Sequence, residues 1–161
     1  MTRMLSLDTS TTATGVAVWN NGNLAQHFIV STSKKSTNKT HEMILLLTDI
    51  LKWYNPDIVI CEELNVINNV ATAKKLSSVI GAIEGISVFI GAHFDTLPPS
   101  VWRKQISDAG HMPPKHRNDL KKWDIEQTIR LFNIIPEDDN EADAILVGEA
   151  YKRICNKGEV I

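Results

Sequence analysis

The amino-acid sequence predicts an α/β fold with a mixed central β-sheet flanked by α-helices. The chain has 161 residues, of which 43% are apolar, so it is long enough for one well-packed core but short for two domains. Its N-terminal part carries short strand-like stretches separated by polar turns. Helical apolar periodicity then alternates with short β-branched stretches. Elements in this order are typical of one mixed sheet with helices on its faces.

The first three elements are predicted to form a three-stranded antiparallel meander. Residues 3–8, 15–20 and 24–30 have strand-like patterns. The second and third are separated by "NNGN", whose Asn-Gly pair favours a tight hairpin turn. A polar, basic loop at 31–38 follows.

The middle of the chain is predicted to alternate helices with strands that pair in parallel. Residues 39–54 repeat apolar side chains at helical spacing, and an Asn-Pro pair ends that helix. The β-branched run 57–61 has the pattern of a buried strand. A long helix at 69–92 and a strand at 93–97 complete this part.

The C-terminal part is predicted to be helical. A short helix covers 100–107, a loop with turn-forming residues follows, and two further helices cover about 117–133 and 140–156. There is no internal repeat or low-complexity tract, so we expect residues 1–161 to form a single domain.

The charges are unevenly distributed, although the formal net charge is only −2. Acids crowd into 137–143, whereas the loop at 31–38 and the region 102–130 are rich in Lys and Arg. Divalent cations held by the acids would make the effective charge positive, which suits a polyanion such as nucleic acid. The basic candidates for phosphate contact are Lys34, Lys35, Lys39, Arg103, Lys104, Lys115, Arg117 and Lys121.

Other sequence features indicate an intracellular, cytoplasmic protein without a membrane partner. No apolar run reaches the roughly 18 residues of a spanning helix. The N-terminus lacks the charged-then-apolar pattern of a secretory signal. Cys61 and Cys155 are not at metal-ligand spacing, and in a cytosolic chain we expect both to be free, buried thiols.

Three acidic features follow the ends of predicted elements, where side chains can converge over one edge of a sheet. Asp8 ends the first strand, and Glu62 with its neighbour Glu63 follows the fourth. Asp143 lies near the start of the last helix, and the residues three and four positions before it share its helix face. Taken singly, each acid also fits a turn, a capping or a solvated role.

Carboxylates that converge in this way repel one another unless a cation neutralises them. Mg²⁺ prefers hard oxygen ligands and often combines a few carboxylates with substrate phosphate oxygens. Two such ions can activate a water and stabilise the leaving oxygen in phosphodiester hydrolysis. The ordered set of acids therefore favours a metal-dependent nuclease.

This combination resembles the RuvC family of Holliday-junction resolvases, within the ribonuclease-H-like superfamily. The matching stretches, which together span essentially the whole chain, are "LSLDTSTTATGVAVW", "PDIVICE", "AKKLSSVIG" and "EADAILVGEAY". The resemblance implies a ribonuclease-H-like fold and places the family's catalytic acids at Asp8, Glu62 and Asp143. It also implies two Mg²⁺ or Mn²⁺ ions per site. The implied reaction is resolution of four-way DNA junctions by paired symmetric nicks that leave 5′-phosphate and 3′-hydroxyl ends.

The chain departs from the family pattern at two places. The family's other helix acid usually lies three residues before the last one, where this chain has Asn140. Asp139 is our preferred fourth catalytic and metal-binding acid, and Asn140, Glu63 and Glu141 are the alternatives. Some family members carry an aromatic residue after the strand-four Glu that is thought to wedge into the junction, and Asn65 stands at that place here.

Two basic positions resemble residues that assist catalysis in the family. Lys122 best matches a basic residue that precedes the penultimate helix, where a cation beside the scissile phosphate offsets charge in the transition state. Arg103 or Lys104 corresponds to a second such residue. The alternative for each is a solvated helix face.

The long helix 69–92 carries small residues at every fourth position, at Ser77, Gly81 and Gly85. Such a row permits close packing of another element within the monomer. In the RuvC family the corresponding helix helps to form a homodimer, so the resemblance implies a homodimer through this helix.

Three other functions stay open on the sequence alone. The nearest is a broader nuclease that acts on forks, flaps and three-way junctions. The stretch "LDTSTTATGVAV" also resembles the first phosphate loop of actin-like ATPases, but the chain lacks the second lobe and loop that they need. A non-catalytic DNA-binding relic of the nuclease fold would not need the acids that this chain keeps.

Overall fold

A computed structural model describes residues 1–64 and 69–158. Its strands are β1 (Arg3–Asp8), β2 (Ala13–Asn20), β3 (Asn23–Ser31), β4 (Ile58–Glu62) and β5 (His93–Leu97). Its helices are α1 (Lys39–Tyr54), α2 (Val70–Phe89), α3 (Pro99–Ile106), α4 (Arg117–Phe132) and α5 (Asp139–Lys157). The strands form a five-stranded sheet in the order β3-β2-β1-β4-β5, which confirms the predicted mixed sheet.

The sheet combines an antiparallel meander with two parallel strands. β1 pairs antiparallel with β2 and β2 with β3, and the β2–β3 turn contains Asn21 and Gly22, both with positive φ as an Asn-Gly hairpin requires. β4 lies parallel to both β1 and β5. Because Leu7 pairs with Cys61, the strands β1 and β4 end side by side, at Asp8 and Glu62.

Helices cover both faces of the sheet, because the central strands bury side chains on both sides. On one face Leu5 and Leu7 of β1 pack with Met43 and Leu47 of α1 and with residues of α2. The other face is covered by α3, α4 and α5, whose buried side chains form a second core cluster. That cluster includes Met4, Trp19, Ile60, Leu97, Trp102, Ile106, Trp123, Ile145 and Tyr151.

Helix α5 packs tightly against strands β1 and β2. Trp19 Nε1 donates to Ser6 Oγ at 2.9 Å, and Ser6 Oγ donates to the Ala144 carbonyl at 2.7 Å. A Cβ atom at Gly148 would come within 2.3 Å of Trp19 Nε1, so only glycine lets the helix approach this closely. These contacts fix the N-terminal half of α5 beside the end of β1.

Every predicted element is present, with small shifts at the ends. Helix α2 ends at Phe89 rather than near residue 92, because Gly91 adopts a positive φ and the chain turns into β5. Both thiols are free as expected, but only Cys61 is buried: Cys155 is exposed, because it lies in the last turn of α5, so the prediction that it is buried was wrong. Within 1–64 and 69–158, no helix is long and apolar enough to cross a membrane.

Candidate metal-dependent nuclease site

Three predicted acids converge at the C-terminal edge of the central strands: Asp8 from β1, Glu62 from β4 and Asp143 from α5. Burial raises the pKa of Asp8 well above its usual value, and the nearby Glu62 raises that pKa further. Burial also raises the pKa of Asp143 well above its usual value, with added repulsion from Asp124, Asp8 and Glu62. The three acids therefore lie close enough to repel one another. The positive charge within the site is not enough to neutralise them.

Glu62 is held at the edge of this site by the indole of Trp102. The fully buried Trp102 donates from Nε1 to Glu62 Oε2 at 3.3 Å. Burial raises the pKa of Glu62 to about 7, although the Arg103 cation and the Trp102 hydrogen bond both oppose the shift. Helix α3 therefore orients an acid that belongs to β4.

Arg103 supplies a positive charge inside the site. Its Nε and Nη2 donate to Oδ1 and Oδ2 of Asp124 at 3.1 and 2.8 Å, a bidentate pair. Nη2 also lies 3.5 Å from Asp143 Oδ2. The guanidinium stacks on the Trp102 ring, 4.1 Å from its centroid. Arg103 is thus part of the acidic site as well as a candidate DNA contact.

One oxygen of Asp143 is suited to bind a divalent cation. Its Oδ1 atom is buried and accepts no hydrogen bond, although its Oδ2 atom faces Arg103. A buried carboxylate oxygen without a partner is costly, and a hard cation is the ligand that such an oxygen binds best. Asp8 and Glu62, which share the site electrostatically, offer oxygens of the same kind.

The carboxylates are not already arranged around a common centre. Among residues 1–64 and 69–158, no group of three or more His, Cys, Asp or Glu side chains has the geometry to hold a metal ion. Arg103 neutralises part of the charge from within the cluster, so the acids need not turn toward one point. Side-chain rotation would be required before two or three of them share a cation.

The two candidates for the fourth acid have other contacts. Asp139 is near enough to Asp8 to raise the pKa of that carboxyl, but it forms an ion pair with Lys121. Asn140 Nδ2 donates to Asp138 Oδ2 at 3.2 Å, so its side chain contacts the helix cap. Of the two, Asp139 is the one whose charge acts on Asp8.

The side chains of the other two alternatives are a hydrogen-bonded one, Glu141, and an exposed one, Glu63. Glu141 Oε1 is 2.8 Å from His27 Nδ1 on β3, and Oε2 accepts from the Glu137 amide at 2.5 Å, so both oxygens are used in anchoring α5. The side chain of Glu63 is exposed, and its amide donates to the Leu97 carbonyl. The acids that raise the pKa of Asp8 and Asp143 are other ones, including Glu62, Asp139 and Asp124.

The basic candidates divide by location. Arg103 lies in the site and Lys121 contacts Asp139, whereas Lys122, the predicted catalytic lysine, has an exposed side chain one residue farther round α4. The side chains of the other predicted lysines are exposed: Lys34, Lys35, Lys39, Lys104 and Lys115. The side chain of Arg117 and the predicted wedge position Asn65 lie outside the described residues.

Asp124 was missed by the sequence analysis. It lies on the buried face of α4 with Trp123, Gln127 and Thr128, and only 1% of the residue is exposed. A signal was present, since Asp124 occupies the helix stripe that Leu120 and Leu131 also mark. An acid in an apolar stripe requires a buried partner, and Arg103 is that partner.

The fold is that of the ribonuclease-H-like α/β class, with an antiparallel meander followed by parallel strands. No family model and no curated protein sequence matches the chain. Solved structures do match it: RuvC from Thermus thermophilus in complex with a Holliday junction substrate has a TM-score of 0.75 at 15% identity. The match covers 99% of this chain and 98% of RuvC.

One viral and one fungal structure also match the chain. Fowlpox virus resolvase, solved with substrate Holliday junction DNA, has a TM-score of 0.64 at 17% identity and covers 92% of this chain and 95% of its own. The yeast mitochondrial Holliday junction resolvase Ydc2 has a TM-score of 0.62 at 13% identity, over 94% of this chain and 78% of its own. The chain therefore has the fold of the RuvC-like resolvases, as the sequence predicted.

Proposed function

We propose that the protein is a metal-dependent, structure-selective endonuclease that resolves four-way DNA junctions. The observation that carries the proposal is the convergence of three half-buried, mutually repelling acids, Asp8, Glu62 and Asp143, at one edge of the sheet. The fold it shares with resolvases solved on junction DNA supports branched DNA as the substrate.

The residues that would hold divalent cations are Asp8, Glu62 and Asp143, with Asp139 joining when it leaves Lys121. The unpartnered Oδ1 atom of Asp143 and the raised pKa values of the three acids support this assignment. When bound, Mg²⁺ or Mn²⁺ supplies activation of water and stabilisation of the leaving oxygen in phosphodiester hydrolysis.

The protein's own groups bind and orient the backbone at the scissile phosphate. Arg103, stacked on Trp102, would donate to a non-bridging phosphate oxygen, and Lys121, which contacts Asp139, would add a second positive charge. The exposed lysines of the 31–38 loop and of α3 would contact phosphates along the arms. Because phosphate contacts release counterions, affinity should fall steeply with added salt.

Resolution requires two matched nicks, so we propose that two copies of the chain act on one junction. The row of small residues on α2 supports this. A Cβ atom at Gly81 or Gly85 would meet nothing within 4 Å, so these glycines do not serve packing within the monomer. Phe89, one further step along the same stripe, is 84% exposed. A second copy of the helix would bury this face.

The decisive experiment compares cleavage of a static four-way junction, a three-way fork, a flap and linear duplex with Mg²⁺. We expect symmetric paired nicks in the four-way junction that DNA ligase can seal, with 5′-phosphate and 3′-hydroxyl ends. Comparable cutting of the four-way junction, the fork and the flap, with linear duplex left intact, would indicate a broader branched-DNA nuclease. Equal cutting of all four substrates would reject a dedicated resolvase. Binding without cutting in both Mg²⁺ and Mn²⁺ would indicate a non-catalytic relic.

A further inference from the structure

Asp124 is a buried carboxylate that the reaction as proposed does not use. It projects from α4, is 1% exposed, and receives two hydrogen bonds from Arg103 of α3. Burying an acid is costly unless it is paired, so its place here requires an explanation. The pair joins the consecutive helices α3 and α4, and Arg103 Nη2 lies 3.5 Å from Asp143 Oδ2.

The position of Arg103 depends on competition between two carboxylates. Both Asp124 oxygens take a donor from Arg103, at 3.1 and 2.8 Å, whereas Asp143 is reached at 3.5 Å through one oxygen. If Asp124 were neutral, Asp143 would be the strongest remaining partner. The guanidinium would then pair with an acid that is needed for the cation, and would cover its oxygens.

We propose that Asp124 is a positioning residue: it holds the Arg103 guanidinium on the Trp102 ring and keeps it from neutralising Asp143. The proposal rests on the function proposed above. Its consequence is that Asp143 keeps the buried Oδ1 atom without a hydrogen bond, open to a cation, while a fixed positive charge stays beside the phosphate position.

A role for Asp124 as a cation ligand is the main rival. Both of its oxygens accept from Arg103, so a cation bound to Asp124 would lie beside the guanidinium and be repelled by it. The two ideas differ in what happens when Arg103 is removed. A positioning residue loses its influence on the cation site, whereas a ligand keeps it.

The test measures Mn²⁺ binding by isothermal titration calorimetry without DNA, for the wild type, Asp124→Asn, Arg103→Gln and the double variant. We expect Asp124→Asn to weaken binding about tenfold, as loss of an orienting partner does. Arg103→Gln should strengthen binding, and in that background Asp124→Asn should change it less than about threefold. An equal loss in both backgrounds would make Asp124 a ligand and overturn the proposal.

Two further measurements separate positioning from general stability. In wild-type protein the Arg103 Nε–H signal should be resolved and slow to exchange in NMR spectra, and Asp124→Asn should abolish it. An unchanged signal would refute the positioning role even if no metal bound. Glu126→Gln, which removes an exposed acid from the same helix, is the matched control.

Cleavage of the four-way junction links the inference to the proposed function. Asp124→Asn should lower the single-turnover rate while junction affinity stays within about threefold, since phosphate contacts outside the site are kept. If the wild type cuts no DNA, the proposed function fails, whereas the NMR and Mn²⁺ results still decide the role of Asp124. A normal rate in Asp124→Asn would show that Arg103 needs no positioning.

Discussion

The carbonyl of Asn140 lies where a side chain at Gly15 would be: a Cβ atom on Gly15 would come within 1.9 Å of that oxygen. Gly15 is also the residue that pairs with Asp8 across the β1–β2 ladder. One backbone contact therefore sets the distance between the start of α5, which carries Asp139 and Asp143, and the end of β1. Contact at this glycine thus positions Asp139 and Asp143 of α5 relative to Asp8 of β1.

Replacement of Gly15 by Ala should push the first turn of α5 away from β2. We expect a loss of about 1–3 kcal/mol in the free energy of unfolding, as overpacking of a closed site costs, measured by urea denaturation. Cleavage should fall more than this loss of stability explains, because Asp8 and Asp143 separate. Gly110→Ala is the control, since its Cβ would meet only Asp108 Oδ1 at an ordinary 3.9 Å. Equal stability of the two variants would refute the close-approach argument.

Replacement of Asp8 by Asn should separate binding from chemistry. We expect cleavage to fall at least about 100-fold, because a cation ligand supplies several kcal/mol of charge stabilisation. Junction affinity, measured by fluorescence anisotropy, should be kept or improved, since one buried repulsive charge toward phosphate is removed. Asp49→Asn, on the exposed side of α1, is the matched control. Unimpaired cleavage by Asp8→Asn would remove Asp8 from the catalytic set.

The sequence was sufficient to predict which acids meet at the ends of neighbouring strands. It was not sufficient to predict which side chains of different helices contact one another. Asp8 and Glu62 were placed together correctly, because parallel neighbours bring their C-terminal ends to one sheet edge. The Arg103–Asp124 pair joins two helices whose relative placement depends on packing, which the apolar pattern does not specify. Similarly, one residue around a helix is a rotation of about 100°, so the sequence does not specify which of Lys121 and Lys122 faces the acids. In the structure Lys121 contacts Asp139, and the catalytic role of Lys122 stays a prediction.

Divalent cations should stabilise the folded protein by binding to Asp8, Glu62 and Asp143. A ligand that binds only the folded state adds about 2.7 kcal/mol when its concentration is 100 times Kd. Mg²⁺ or Mn²⁺ should therefore raise Tm, and Asp143→Asn should abolish the rise. Asp139→Asn should reduce it, whereas Asn140→Ala should leave it nearly intact. The reverse order for the last two variants would make Asn140 the fourth ligand.

The raised pKa of Glu62 predicts a pH dependence of stability without metal. Its pKa is about 7 in the folded protein against an ordinary 4.5, so between these values the folded state holds a proton that the unfolded state has lost. The contribution of Glu62 to stability should therefore fall as pH rises from about 4.5 to 7 and then level off. Unfolding by urea in EDTA at several pH values, compared with Glu62→Gln, measures it. A wild-type-minus-variant difference that rises with pH would contradict the buried, repelled carboxyl.

Self-association through α2 can be tested at Gly81, where an added side chain has open space within the monomer. Gly81→Arg should therefore leave the monomer folded, with unchanged circular dichroism, but place a charge in the middle of the small-residue stripe. We expect a shift from dimer to monomer in sedimentation velocity. Thr72→Arg, exposed in the first turn of the same helix and off the stripe, should stay dimeric.

Loss of the dimer should also change the course of junction cleavage. Two coupled sites nick both strands within the lifetime of one complex, whereas separate monomers nick them independently. With Gly81→Arg, singly nicked junctions should therefore accumulate on a supercoiled cruciform plasmid, which reports nicked circles rather than linear product. A monomeric variant that still yields linear product as fast as the wild type would show that paired cleavage does not depend on this face of α2.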